Sequence, residues 1–343
     1  MRADFLDTTM TRRVAALAIL LVVSSWTAFG QAPGRWVTNK FAPLPEPEEE
    51  YTATVASDRL YLIGGNRSGR PEWPRHVLEY DLAANKWTAK KPAPFPGDHM
   101  AATSLGGKIY VFGGQAEGGV NKPLNTAWEY DPSSDAWRSL APMPTARTAA
   151  VAVEAGGRIY VIGGNTVAGL TIGTNDAYDP ATNRWESRTP MPTPRNHPAG
   201  GAVAGKIYVI GGRLAAPNIG GFLSSNTDVV EEYDPAANAW RAMTKMPTPR
   251  SGHGWTTHQG RIYVAGGEVR DSHMDAIFRD VEVFDPSIND WYRLPPMPTA
   301  RHGVNLAALG NRLHAIGGHL AFAATGEREL HTAANEVFEF SQR

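Results

Sequence analysis

The chain has 343 residues, with 33 Lys+Arg against 34 Asp+Glu and a formal net charge of −1. So even a balance argues against electrostatic binding of nucleic acid, which relies on a marked basic excess. Cysteine is absent, which excludes disulfides, thiolate metal centres, cysteine nucleophiles and a lipidated N-terminal Cys, while 35 Gly, 26 Pro and 10 Trp mark a turn-rich chain with indoles to build a core.

The first element is an address. Arg12 and Arg13 precede the uncharged apolar run Val14 to Val23, and Ala28-Phe29-Gly30 then sets small residues before Gln31. A basic stretch, a short apolar stretch and small residues at the end describe a secretory signal peptide. The run is too short to span a bilayer comfortably. Cleavage is expected after Gly30, giving residues 1–30 as signal and 31–343 as the mature, periplasmic or secreted domain, with no membrane span of its own.

The remainder repeats. An apolar run ends in Gly-Gly six times, with first glycines at 64, 113, 163, 211, 266 and 317. A Tyr or Phe follows at Tyr80, Tyr130, Tyr178, Tyr233, Phe284 and Phe338, and Trp87, Trp137, Trp185, Trp240 and Trp291 close five of the units. Each unit of about fifty residues holds four strand signals, the first two joined by a two-residue turn such as Gly156-Gly157 or Gln259-Gly260. Four antiparallel strands at that spacing build one propeller blade. The sixth unit stops at Arg343 without its Trp, whereas a spare Trp36 sits at the other end. Arg35 to Lys40 is therefore expected to supply the outer strand of the last blade, closing the ring and hiding two sheet edges. The fold class is all-β, a six-bladed propeller. The repeated Gly-Gly, Tyr and Trp read as structure.

These features, with the Pro-Met-Pro-Thr-x-Arg links between units, resemble the kelch repeat family over residues 35–343. The resemblance fixes a fold far better than a function. Strand parity places the long, dissimilar loops (66–76, 115–126, 165–175, 213–228, 268–280 and 319–335) on the same face as the blade links, and variable loops on a rigid scaffold are where binding concentrates. At the link register we place Glu48, His99, Arg147, Arg195, Arg250 and Arg301, so that four guanidiniums converge on one mouth. At ~10 Å spacing each neighbouring pair would repel by about 0.4 to 1.7 kcal/mol. Nearby acids, solvent or an anionic ligand must compensate, and the resemblance implies both a ligand pocket and a simple brace for the link. The expected partner is an anionic small molecule, a carboxylated glycan or an extracellular peptide or protein, bound by a monomer. Asn66, Asn165, Arg213, Glu268 and His319 each follow a Gly-Gly at the rim, and Trp73 offers an aromatic platform in a loop. Asn125, Asn175, Asn226 and Asn335 read as local turn caps.

No metal or cofactor is expected. His99, His197, His253 and His302 lie at different offsets, so strand alternation should aim them apart. The copper radical oxidases that share such propellers need a Cys, which is absent. The Glu-x-x-x-Asp-x-x-x-His pattern of plant kelch specifier proteins fails at Ser272 and Ala276. One enzymatic alternative stands beside the binding module: exported bacterial kelch propellers include sialic acid mutarotases, and that resemblance implies an acid/base pair from Glu48 or Glu268 with His99.

Overall fold

The computed structural model describes residues 34–341, apart from 49, 66–74, 96, 116–121, 167–169, 215–224, 271–274 and 322–329. The signal peptide expected at residues 1–30, Asn66 and the Trp73 platform lie outside the described residues. No helix among the described residues is long and apolar enough to cross a membrane.

Two-residue turns are the local cause of the first hairpin in each unit. Gly106-Gly107, Gly156-Gly157, Ala204-Gly205 and Gln259-Gly260 all have positive φ, the left-handed geometry that matches the twist of the strands they join. The next strand is rich in Ile, Tyr and Val. Ile159, Tyr160, Val161 and Ile162 are all buried, as they must be when both faces of a sheet are covered.

Six such hairpins each extend to a four-stranded antiparallel sheet. Blade 1 runs Thr52–Ala56, Arg59–Ile63, Val77–Asp81 and Lys86–Ala89. Blade 2 runs Ala101–Leu105, Lys108–Phe112, Ala127–Asp131 and Ala136–Ser139. Blade 3 runs Val151–Ala155, Arg158–Ile162, Asn175–Asp179 and Arg184–Arg188. Blade 4 runs Ala199–Val203, Lys206–Ile210, Val230–Asp234 and Ala239–Ala242. Blade 5 runs Gly254–His258, Arg261–Ala265, Val281–Asp285 and Asp290–Leu294. Blade 6 takes Asn305–Ala308, Arg312–Ile316 and Asn335–Phe340 from the C-terminal end and Gly34–Val37 from the N-terminal end. Trp36 pairs with Phe338, so the ring closes as the spare indole implied.

Blades are stapled to their neighbours by the repeated Tyr, Asn and Trp. In blade 4, Tyr233 Oη donates to Asn238 Oδ1 at 2.7 Å, and that oxygen also accepts the Thr189 N–H of the preceding link at 2.9 Å. Trp240 Nε1 donates to the Thr189 carbonyl at 2.8 Å. Trp36 makes the equivalent bond to Pro295 O at 2.7 Å. The Gly-Gly pair is required by close approach: at Gly163, whose φ is 70°, a Cβ would stand 2.6 Å from the Arg195 carbonyl oxygen. The first strand of every blade faces the axis, where the six together line a central cavity of about 420 Å³.

Candidate functional site

Three successive link positions build the mouth of that cavity. The first comprises Glu48, Gly97, Arg147, Arg195, Arg250 and Arg301, whose backbone carbonyls accept N–H bonds of 2.8 to 3.3 Å from the second Gly of the neighbouring pairs. In five blades the second pairs with the residue after a Gly-Gly, bridging Asp98 to Gln115, Thr148 to Asn165, Asn196 to Arg213, Ser251 to Glu268 and His302 to His319. The third is Glu50, His99, Ala149, His197, Gly252 and Gly303, with φ of 53°, 51°, 54°, 50°, 59° and 56°. Backbone bonds join these around the axis: His99 N to Glu50 O at 3.3 Å, Ala149 N to His99 O at 2.9 Å, His197 N to Ala149 O at 2.9 Å and Gly303 N to Gly252 O at 2.8 Å. Non-glycine residues in this region cost about 1 kcal/mol or more each and persist where the surroundings over-determine them.

This arrangement corrects the register expected for blade 2. His99 does not share the arginine position; Gly97 does, and His99 stands two residues farther on. The same geometry corrects the arginine mouth. Arg147, Arg195, Arg250 and Arg301 are at most 1% exposed and point into the blades. Arg147 Nη2 meets Asp176 at 2.6 Å, Arg195 Nη1 meets Glu231 at 2.6 Å, Arg250 Nη1 meets Glu282 at 2.7 Å and Arg301 Nη2 meets Glu336 at 2.8 Å. Burial pulls all four guanidinium pKa values down while these carboxylates oppose it. None of the four lines the cavity. The neighbouring acid, one of the compensations expected for clustered guanidiniums, is what neutralises each. Glu48 is also only 2% exposed, and it accepts from or shares a proton with His76 Nε2 at 2.7 Å inside blade 1. It does not meet His99; Glu50 does.

At the mouth itself, His99 Nε2 lies 3.3 Å from Glu50 Oε2 and its Nδ1 lies 2.9 Å from Asp98 Oδ1. Burial opposes its charge, but Glu50 and Asp98 outweigh that and raise its pKa to about 10. The His197 ring lies with its centroid 5.0 Å from that of His99, so the expectation that these histidines aim apart fails. Both sit at the same left-handed link position of their blades, which strand alternation does not govern. Burial, with Arg213 and His99 beside it, drives the His197 pKa well below its usual value. Arg213 runs along the imidazole, its Nη2 3.1 Å from His197 Nε2 and its Nε 3.1 Å from Asn196 Oδ1, while its Nη1 meets Glu268 at 3.0 Å. Glu268 also faces His302 at 3.8 Å, and Asn196 Nδ2 donates to Asn165 Oδ1 at 2.8 Å. His319 stacks edge-on against His302 and His331, with centroids 5.0 and 5.1 Å away. Of the sequence-expected residues, then, His99, Arg213, Glu268, Asn165 and His319 come together at the mouth.

Sequence reasoning passed over Glu50, Asp98 and Asn196 and set His197 aside. The signal was present: Pro92-Ala93-Pro94 aligns with Pro142-Met143-Pro144 and gives the correct blade 2 register. Three of the four asparagines read as local caps, Asn175, Asn226 and Asn335, reach segments beyond their own turn. Asn175 and Asn335 lie in strands, Asn335 Nδ2 reaches Ala42 O at 3.2 Å, and Asn226 Nδ2 reaches Glu268 O at 2.7 Å. They tie neighbouring segments together across the fold.

Known proteins share this architecture. Kelch-like protein 40 of Xenopus laevis is 29% identical over 110 residues, and that of Mus musculus 34% over 110 residues; each match covers 32% of this chain and 17% of the relative. Beta-scruin of Limulus polyphemus is 30% identical over 92 residues, 26% of this chain and 10% of its own. The matched segments thus span less than a fifth of these relatives. The solved structure of YjhT superimposes with a TM-score of 0.71 at 20% identity, covering 86% of this chain and 95% of that one. The Attractin/LZTR1 beta-propeller model matches residues 60–325. That span takes in most of the six blades, and the chain is a kelch-type propeller belonging to the Attractin/LZTR1 beta-propeller family.

Proposed function

We propose that this propeller is an exported interaction module whose ligand docks at the long-loop mouth. The observation that carries the reading is one connected polar network. His99, His197, Arg213, Glu268 and Asn165, drawn from four blades, meet above the central cavity on the face that carries the long loops. Its positive groups are already matched: Arg213 by Glu268 and His99 by Glu50 and Asp98. With four guanidiniums spent inside the blades, net positive charge no longer recommends an anionic ligand. Paired donors and acceptors fit a peptide segment or a glycan that exchanges hydrogen bonds with both. Selection from a peptide-display library and a glycan array tests this. Ligands so obtained should bind Arg213→Ala/Glu268→Ala at least tenfold more weakly than wild type. Unchanged binding would place the site elsewhere.

A second reading rests on the two histidines. Neighbouring groups with pKa values pushed apart are the signature of an acid and a base. His99 is protonated below about 10 and His197 is neutral above its depressed value. Such a pair suits sugar anomer interconversion, in which one group protonates the ring oxygen while the other takes the hydroxyl proton. The rate would hold a plateau through neutral pH and fall as His99 loses its proton near pH 10. Proton-exchange NMR on freshly dissolved sialic acid decides: no acceleration over buffer eliminates the enzyme.

A further inference from the structure

Three of the six left-handed positions at the mouth carry side chains that ligate metals, and they are close together. Glu50, His99 and His197 each offer a ligand atom, all within 4.8 Å of one another. We propose that these three residues bind one divalent transition-metal ion, through a carboxylate oxygen and two imidazole nitrogens.

The spacing is the first reason. Glu50 Oε2 and His99 Nε2 stand 3.3 Å apart, which is the ligand-to-ligand distance of a tetrahedral site with bonds of about 2.0 to 2.1 Å. The second reason is orientation. Asp98 Oδ1 lies 2.9 Å from His99 Nδ1 as a charge contact, and Nε2 faces Glu50. A carboxylate on the Nδ1 side favours the orientation in which Nε2 is the ligating nitrogen. Asn196 Oδ1 contacts His197 Nδ1 in the same role. The third reason is the frame. Glu50, His99 and His197 sit on one backbone belt, tied N–H to carbonyl through Ala149. That belt stands at the rim of the cavity, so the backbone that carries the three ligands is set before any ion arrives and the ion has a way in.

The donor set selects the ion. Two imidazoles with one carboxylate suit Zn(II), Co(II), Ni(II) or Fe(II), whereas Mg(II) and Ca(II) want oxygen throughout. Glu50 and Asp98 together balance two positive charges. Arg213 Nη2 stands 3.1 Å from His197 Nε2, so the guanidinium, paired with Glu268 at 3.0 Å, must swing off that nitrogen for the ion to bind. Three protein ligands leave coordination positions for water or for a ligand entering the mouth.

The experiment uses the full chain, stripped with EDTA and titrated with Co(II) and Zn(II). Calorimetry should show one equivalent bound, and Co(II) should develop the intense visible bands of a four- or five-coordinate site. His99→Ala and His197→Ala should each weaken binding at least 100-fold, and Glu50→Gln at least tenfold. Asp98→Asn leaves all three ligands in place and should weaken it about tenfold. His302→Ala/His319→Ala should stay within twofold of wild type. Melting of each variant in EDTA separates lost binding from lost folding, and His99→Gln replaces any alanine variant that melts early. The proposal is overturned if no stoichiometric binding occurs. It is equally overturned if binding survives loss of both His99 and His197, or if it follows His302 and His319. None of these outcomes depends on which peptide or glycan docks at the mouth.

Discussion

Blades 3 to 6 differ from blades 1 and 2 in how they are held together inside. Each of the four has an arginine from its incoming link buried against a carboxylate two residues before the repeat Tyr or Phe: Arg147 with Asp176, Arg195 with Glu231, Arg250 with Glu282 and Arg301 with Glu336. In blades 4 to 6 a link threonine adds a bond to the same carboxylate, as Thr193 does to Glu231 at 2.9 Å. Blade 2 has Gly97 and Trp128 at the arginine and carboxylate positions, with Phe95 in place of the threonine; Phe95 stacks on Trp128 at 5.4 Å. Blade 1 has Glu48 and Leu78, and Glu48 turns to His76. Wherever the arginine is missing the acid is missing too. A half-pair would leave an uncompensated charge in the interior, so the pair is kept or discarded as a unit.

The difference reaches the mouth. The four braced blades present mostly small residues at the left-handed position: Ala149, Gly252 and Gly303, with His197 the exception. The two unbraced blades present Glu50 and His99, and Asp98 comes from the same link as His99. Freed from holding an arginine, these two links supply much of the polar chemistry at the axis.

The largest expected effect follows from halving a pair. Arg195 also donates to Thr193 O at 2.9 Å and Val209 O at 2.8 Å, so Arg195→Ala strands Glu231 and two carbonyls. It should cost about 3 to 5 kcal/mol in urea unfolding. A loss under about 1 kcal/mol would mean the braces carry no weight. In blade 2 the apolar substitute should matter nearly as much: Phe95→Ala removes a buried ring from Trp128 and should cost about 3 kcal/mol. A negligible change there would show blade 2 to be unbraced in substance as well as in chemistry.

Most of this frame was legible from the chain. Period, strand parity and the spare Trp36 gave the blades and the closure, because each rests on a pattern repeated around the ring. Side-chain direction was not legible. Parity places a link on a face, yet it does not say whether an arginine turns toward the axis or back into its own blade. The partners that decide this were in view, since Asp176, Glu231, Glu282 and Glu336 all stand at the same offset from the repeat aromatic, where Leu78 and Trp128 stand in the other two blades. Reading link and third strand together would have buried the arginines. Convergence of Glu50, His99 and His197 depended on a left-handed turn at a non-glycine position, which no spacing rule announces.

A smaller effect tests the unbraced side of the mouth by pH. His99 has its pKa raised from 6.5 to about 10 by Glu50 and Asp98 against burial. A raised pKa gives stability that is whole below pH 6.5 and lost as pH climbs through 10. The gap in unfolding free energy between wild type and His99→Gln should therefore shrink by on the order of 1 to 2 kcal/mol from pH 6 to pH 10.5. A gap that is constant or grows would remove the charged His99 from the network.

The smallest expected change is the most telling for the comparison. Arg147 has the barest brace, its Nη2 reaching Asp176 while Nε and Nη1 make no hydrogen bond. Arg147→Met alone leaves Asp176 buried with only Ser187 at 3.1 Å and should cost about 3 kcal/mol. Adding Asp176→Leu places in blade 3 the residue type that blade 1 carries as Leu78. The double variant should return to within about 1 kcal/mol of wild type, since apolar residues of similar volume replace a buried ion pair at little or no loss. The two substitutions then couple by about 2 kcal/mol or more, whereas independent sites would simply add. If the double variant is as unstable as the sum of the single ones, the arginine and its acid serve blade 3 separately, and the paired absence in blades 1 and 2 needs another cause.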